Sequence, residues 1–290
     1  WDGGTLIVVA SDHPVAGLGV SAYPRGVTRD VVSAAVAGVS VGASAARDAG
    51  LDHMVVDAGV EGPPVPGARI IRPQDRRGDL VSSDGLSPAD AERLVAAGGA
   101  LAGEVCGAGT NLIAVGEVGV GNTTVAAALT SALLGLDPDR LVGLGAGSDS
   151  AMVAAKRGVV QAAVDRVRMR PGGTRPLDRL GALGGGELAV LTGVILGAAG
   201  QGAVVVLDGM ATGVAALLAV EMEPAVAAHL VAGQRSRELG HPLVLEALGL
   251  EPLLDLRLRA GEGVGAAMAS RLLMAGLRVR AWSACTTAGV

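Results

Sequence analysis

The stretch Leu112-Ile-Ala-Val-Gly-Glu-Val-Gly-Val-Gly-Asn-Thr-Thr124 decides how the chain is read. Its first four residues are a short, continuous apolar run. A strand buried on both faces of a parallel sheet has that pattern. Three glycines follow, and then an Ala- and Leu-rich segment, 125–136, of helical length. Strand, glycine turn and helix make the repeating unit of an α/β sheet. Working outward, further strand candidates appear at 5–10, 53–56 and 203–207. Helices lie between them. Thr28 precedes one over 29–47, and Ser87-Pro88 with Asp90 reads as a capped start for one reaching about Val105. Ser148 precedes another, reaching about Met169. A second helix–strand pair falls at 188–199 and 203–207, and helices are also expected at 211–220 and after Gly265. Residues 170–176 are the clearest linker. The order predicts a doubly wound, mostly parallel sheet with helices on both faces.

Composition excludes several classes. The chain has 290 residues, half of them hydrophobic and 18% charged, which is a globular composition large enough for one sizeable core. Glycine reaches 46 residues without a Gly-X-Y period, so the chain is not collagen-like. A net charge of −5 and no basic tract argue against nucleic acid or an anionic membrane surface as partner. Any phosphate must then be held by backbone amides or a few chosen side chains. Aromatics are only Trp1, Tyr23 and Trp282, so no platform for stacking bases exists. Residues 188–207 are the most membrane-like, yet Gly200-Gln201-Gly202 splits them into two elements of soluble length. Cys106 and Cys285 match no metal or redox spacing and read as free thiols. The chain opens at Trp1 without a signal peptide, so a cytoplasmic location is expected. His53, His229 and His241 lack ligand spacing and read as structural or surface residues. Neither a metal nor a cofactor is expected.

In open α/β sheets, ligands bind beyond the carboxyl ends of the strands. Several motifs fall there. Residues 116–124 can bring free helix-start amides to a phosphate, or can simply be a glycine turn capped by Asn or Thr. They form no Walker loop, because no Lys-Ser/Thr pair closes them. LVGLGAGS at 141–148 repeats the pattern. Asp208-Gly209 ends another strand, where Asp208 binds a ribose hydroxyl or, by default, caps the next helix. Ser11-Asp12-His13 follow the first strand, and their place favours function over a surface turn. Gly184-Gly-Gly186-Glu187 opens a helix whose N-terminus favours the glutamate anyway, while the glycines suggest close packing on a ligand or partner. GQRSR at 233–237 is a phosphate contact or a solvated loop. Glu262, flanked by Gly261 and Gly263 and set against Leu, Val and Met, suits a general base.

Order and spacing of these motifs say more than any one of them. Asp12-His13, GVSAYP (19–24), GEVGVGNTT (116–124), GGGEL (184–188), LDG (207–209), AGQRS (232–236) and GEGVGAA (261–267) form a set. The set resembles the nicotinate-nucleotide–dimethylbenzimidazole phosphoribosyltransferase family, from about residue 5 to the end. The resemblance implies transfer of the phosphoribosyl group of nicotinate mononucleotide to 5,6-dimethylbenzimidazole, giving α-ribazole 5′-phosphate and nicotinate with inversion. It implies that Glu262 is the general base and that Val118, Gly119, Val120, Gly121, Asn122 and Thr123 form the phosphate loop. It sets Glu117 beside the ribose, makes Gly145, Gly209 and Ser236 nucleotide contacts, and puts Ser11 and Asp12 at the benzimidazole side. Lys156, the only lysine, becomes a partner for phosphate or carboxylate. A homodimer is implied, with which a mean hydropathy of +0.49 is compatible. So is a single domain over 1–290 with a smaller helical subdomain to which the C-terminal helices contribute. The chain departs from the family pattern in four respects. The family's helical N-terminal segment is absent from the sequence. Pro14 and Gln234 replace a usual glycine and histidine. Leu239 stands for a proline. Residues 283–287 differ from the family's C-terminal pattern. Two alternatives are a non-catalytic relative that binds a nucleotide or azole, and a dinucleotide-dependent oxidoreductase. The second lacks a full GxGxxG unit with its distant acidic residue.

Overall fold

The computed structural model describes residues 3–24, 26–143, 150–169, 172 and 175–283. Among them, strands β1 (Gly4–Ala10), β2 (Leu51–Asp57), β3 (Arg69–Ile70), β4 (Leu112–Val118), β5 (Val204–Leu207) and β6 (Leu230–Ala232) build one sheet. Their order is β3-β2-β1-β4-β5-β6, and every neighbouring pair is parallel. The chain therefore runs outward from β1 in one direction, returns, and continues from β4 in the other. That reversal makes a switch point between β1 and β4, where a crevice opens at the strand ends.

The helices are α1 (Val27–Val36), α2 (Val41–Ala49), α3 (Pro88–Gly107), α4 (Asn122–Leu134), α5 (Ser150–Arg168), α6 (Pro176–Leu183), α7 (Gly186–Gly200), α8 (Met210–Met222), α9 (His241–Leu248) and α10 (Val264–Trp282). Strand alternation sorts them between two faces. Ile7, Val9, Ile113, Val115, Val205 and Leu207 join the large core made with α3, α4, α7 and α8. Leu6, Val8, Leu112, Ala114 and Val206 meet the alanines of α2 and α10 on the other face. Helix α7 lies between the sheet and α3, so it is apolar all round. It approaches α3 very closely: a Cβ on Gly193 would stand 1.9 Å from the Val95 carbonyl oxygen, and one on Gly98 2.1 Å from that of Val190. The segment 188–207 is thus nearly all of α7, a short turn and β5, and no described helix is long and apolar enough to cross a membrane.

Several expectations are corrected. The helix expected over 29–47 is two helices. The chain breaks at Gly38, whose φ is +74°, and restarts where the Ser40 hydroxyl accepts from the Ala43 amide at 3.2 Å. Helix α4 begins at Asn122 rather than Val125, so the glycine loop is shorter than it reads. Strands β3 and β6, of two and three residues, are too short to show a period, and α6 and α9 also escaped notice. Gly145, Ser148 and four linker residues (170, 171, 173 and 174) lie outside the described residues.

Candidate active site

A cavity of about 750 Å³ opens at the carboxyl ends of the strands. One wall is the β4–α4 loop, Glu117 to Thr123. The loop is pinned from behind: a Cβ on Gly119 would lie 1.8 Å from the Ser11 carbonyl oxygen, so only glycine passes there. Gly121, at φ +96°, turns the chain into α4. The first residues of α4 therefore border the cavity, where the positive end of a helix favours an anion. Lys156 of α5 reaches the same cavity, buried, with Glu238 as its nearest opposing charge.

The rest of the lining carries both signs, the carboxyl groups of Asp208, Glu238 and Glu262 with the guanidinium groups of Arg237 and Arg259. Glu262 sits just before α10 and is 8% exposed. Its φ of +59° is left-handed, which is uncommon for a residue with a side chain. Three contacts hold it there. Its amide donates to the Glu117 carbonyl at 3.0 Å, and its Oε2 accepts from the Gly42 amide in the first turn of α2 at 3.2 Å. Its backbone rests on Gly116, where an added Cβ would meet the Gly263 nitrogen at 2.3 Å. Glu117 and Glu262 thus border one cavity.

Burial, reinforced by the nearby carboxylates of Glu187, Asp208 and Glu238, pushes the Glu117 carboxyl up to about 8, against the opposing hydrogen bond from Asn122 Nδ2. It therefore carries a proton at neutral pH. Burial also pushes Asp208 up to about 6, although three amides at the start of α10 and the Gln234 side chain favour its anion. Asp208 does not cap its own following helix, as the sequence suggested. Thr212 does that, accepting from the Asp208 and Gly209 amides at 3.0 Å. Asp208 Oδ1 instead accepts from the Ala266 amide at 3.2 Å and so caps α10, next to Glu262.

Of the residues singled out in the sequence, Glu117 to Thr123, Lys156, Gly209, Ser236 and Glu262 line this cavity. Ser11 and Asp12 do not; they stand behind its wall. Asp12 accepts from the Thr28 hydroxyl and from the amides of Val120 at 3.3 Å and Glu61 at 2.8 Å, tying three segments together. Thr28, at the start of α1, carries that tie to the cavity surface. His13 is buried, not a surface residue, and its Nε2 lies 2.9 Å from Oε1 of the fully buried Glu187. Gly185 makes room for this pair, since a Cβ there would stand 2.2 Å from the imidazole ring. The triple glycine thus serves internal packing. Pro14 opens a short 3-10 helix, a place where the missing amide is not needed. His241 is buried and accepts from the Ser236 amide at 2.9 Å; burial and Arg235 push it down to about 4. Sequence reasoning missed Thr28, Gln234 as a cavity residue, and Glu238. Among the described residues no group of three His, Cys, Asp or Glu side chains is placed to hold a metal ion.

Fold and cavity define an α/β enzyme with an anion site at a helix start and a carboxylate facing it. The family model described as Phosphoribosyltransferase matches residues 1–290. The nicotinate-nucleotide–dimethylbenzimidazole phosphoribosyltransferase of Thermus thermophilus is 41% identical over 289 residues, 99% of this chain and 85% of that one. The enzyme of the same name from Mycobacterium avium is 42% identical over 273 residues, 93% and 77% of the two chains. A crystal structure of CobT from Thermus thermophilus matches with a TM-score of 0.88 at 42% identity, covering 95% of this chain and 83% of that one. The chain belongs to the nicotinate-nucleotide–dimethylbenzimidazole phosphoribosyltransferase family.

Proposed function

We propose that this chain transfers the phosphoribosyl group of nicotinate mononucleotide to 5,6-dimethylbenzimidazole, giving α-ribazole 5′-phosphate and nicotinate. The observation that carries the reading is the sharing of one cavity by Glu262 and the helix-start loop Gly119 to Thr123. The loop and Lys156 hold the phosphate. A protonated Glu117 lies beside it without adding a second negative charge. Glu262, anchored by the Gly42 amide, takes the proton from one benzimidazole nitrogen. The other nitrogen attacks C1′ from the side opposite the leaving group. The C1′–N bond breaks, and its electron pair neutralises the pyridinium nitrogen as nicotinate departs. The leaving group needs no proton, so the protein's contribution is orientation and one base. Gly209 and Ser236 line the remaining wall as nucleotide contacts, and the azole lies toward Thr28, the side that Ser11 and Asp12 support. We place Gly145 with the nucleotide contacts as well.

The test is turnover of the purified chain with both substrates, followed by chromatography. Product is expected only when both are present. Glu262→Gln should lower kcat by about a hundredfold or more. Near-full activity of that variant would remove Glu262 from the role of base. The enzyme acts as a homodimer on this reading, supported by the apolar outer side of α10, where Met268, Leu272, Val279 and Trp282 are exposed. Light scattering that returns a single-chain mass would overturn it. Cys106 is a free thiol, as expected for a cytoplasmic enzyme.

A further inference from the structure

We propose that His13 is a positioning residue for the phosphate loop: clamped by Glu187, it holds the backbone of Val120 and Gly121 where they meet the phosphate of the nucleotide. The inference deepens the reading of the site given above and rests on it.

The pairing of β1 with β4 ends at Ala10 and Val118, yet residues 11–13 go on holding the loop from behind. The Ser11 amide donates to the Val118 carbonyl at 3.0 Å, and the His13 amide to the Val120 carbonyl at 3.1 Å. The Val120 amide turns back to Asp12 Oδ1 at 3.3 Å. A Cβ on Gly121 would meet the His13 Cβ first, at 3.2 Å. His13 therefore backs both residues at the bend where the loop enters α4. Amides grip an anion best when they are fixed before it arrives.

The side chain of His13 is fixed in turn. Its Nε2 lies 2.9 Å from Oε1 of Glu187, in the first turn of α7. Both side chains are buried. Gly185 closes on the ring, where a Cβ would stand 2.2 Å from Cε1. Helix α7 is itself pressed against α3, so this contact ties the loop to the closely packed side of the molecule. A buried carboxylate that meets an imidazole adds little stability over apolar packing of the same volume; what it adds is direction. Neither group borders the cavity, whereas Glu117 to Thr123 do, so the direction reaches the ligand through the backbone. The consequence is selective. A loop that shifts loses its grip on the phosphate, while the sugar and the pyridine ring have no contact with His13 to lose.

The experiment compares nicotinate mononucleotide with nicotinate riboside, the same molecule without its phosphate, by calorimetric binding to the parent, His13→Ala and His13→Gln. The parent should bind the mononucleotide more tightly, by about tenfold or more. His13→Ala should weaken the mononucleotide about tenfold and leave the riboside unchanged. Glutamine brings an N–H to Glu187 at a similar reach and should restore the difference. His13→Ala leaves Glu187 buried without its partner; if it does not fold, Gly185→Ala takes its place. The Gly185 backbone is extended, with φ −150° and ψ 174°, so alanine fits the chain while its methyl group displaces the imidazole. The same loss, confined to the mononucleotide, is expected. A purely structural role would lower Tm and weaken both ligands alike or neither; either result overturns the proposal, as does equal binding of the two ligands by the parent. Turnover with 5,6-dimethylbenzimidazole separates this inference from the reaction itself. A phosphate-selective loss in the variants beside a parent that makes no product sinks the transfer reading and keeps His13 in its role. Turnover by the parent beside variants of full phosphate selectivity sinks the role of His13 alone.

Discussion

The two faces of the sheet are sealed in different ways. On one face α7 is pressed against α3 through bare glycine backbones and buried all round. On the other, α2 and α10 cover the strands with alanines, Ala46, Ala49, Ala266, Ala267 and Ala269, and α10 turns Leu272, Leu277 and Trp282 outward. The first face holds most of the apolar core and none of its α3–α7 crossing reaches the cavity. The second carries Glu262 on the approach to α10 and the α2 amide that holds it. The α3–α7 crossing is packing alone, whereas the α2–α10 layer also holds the carboxylate of Glu262. Substitutions should therefore separate: the α3–α7 face should lose the fold, and the α2–α10 face should lose activity first.

The largest expected effect is Gly193→Val. The new Cβ would stand 1.9 Å from a backbone oxygen of α3, which no side-chain rotation relieves. Two packed helices would have to separate, at a cost of about 3 kcal/mol. Thermal unfolding should show a collapse of Tm, or no soluble protein at all. A melting curve like the parent's would break the comparison, because it would show the α3–α7 contact to be slack.

Gly116→Ala comes next and acts on the other face. Its methyl group would meet the Gly263 nitrogen at 2.3 Å and the Glu262 carbonyl carbon at 2.7 Å. The loop carrying Glu262 can move toward the cavity, so the fold should survive while kcat falls about a hundredfold, since a displaced base loses its geometry. A variant that melts as early as Gly193→Val would deny any difference between the faces.

Legibility in the sequence follows the same division. The β4 loop and Glu262 were readable because local features mark them: an apolar run, glycines at fixed offsets, and a helix after each. The β-α alternation gave the parallel sheet for the same reason. What escaped depends on contacts distant in sequence. Nothing local says that Asp208 caps a helix 58 residues on, or that His13 meets Glu187 across the core. Gln234 was visible as a departure from the family, but its orientation follows only from Asp208. The break between α1 and α2 had a local signal, Gly38 before Ser40, which the Ala-rich run on either side masked. Ser11 and Asp12 were placed at the strand end, yet the fold turns them toward the loops they tie rather than into the cavity.

The Glu117 carboxyl tests the cavity between the faces. It ionises near 4.5 in an unfolded chain and near 8 in the fold. Between those values only the folded chain keeps the proton, so its contribution to stability is complete below pH 4.5 and is lost as pH rises to about 8. Glu117→Gln mimics the protonated form. It should flatten this slope, raising Tm at pH 8 relative to the parent and leaving it nearly unchanged at pH 4.5. Parallel curves for the two proteins across that range would show that Glu117 is ionised at neutral pH after all.

The smallest effect sharpens the comparison most. Ser40 caps α2 through the Ala43 amide, and two residues on, the Gly42 amide holds Glu262. Ser40→Ala removes the cap, at about 1 kcal/mol of stability. Within the α3–α7 crossing a loss of that size would pass unnoticed in activity, because no residue of those two helices lines the cavity. Here it frays the turn that fixes the base. The expected result is a Tm lower by a few degrees together with a kcat reduced severalfold, at unchanged KM for the nucleotide, since the phosphate wall belongs to α4 and α5. An unchanged kcat beside the lowered Tm would mean that Glu262 keeps its place without α2, held by the Glu117 carbonyl and Gly116 alone.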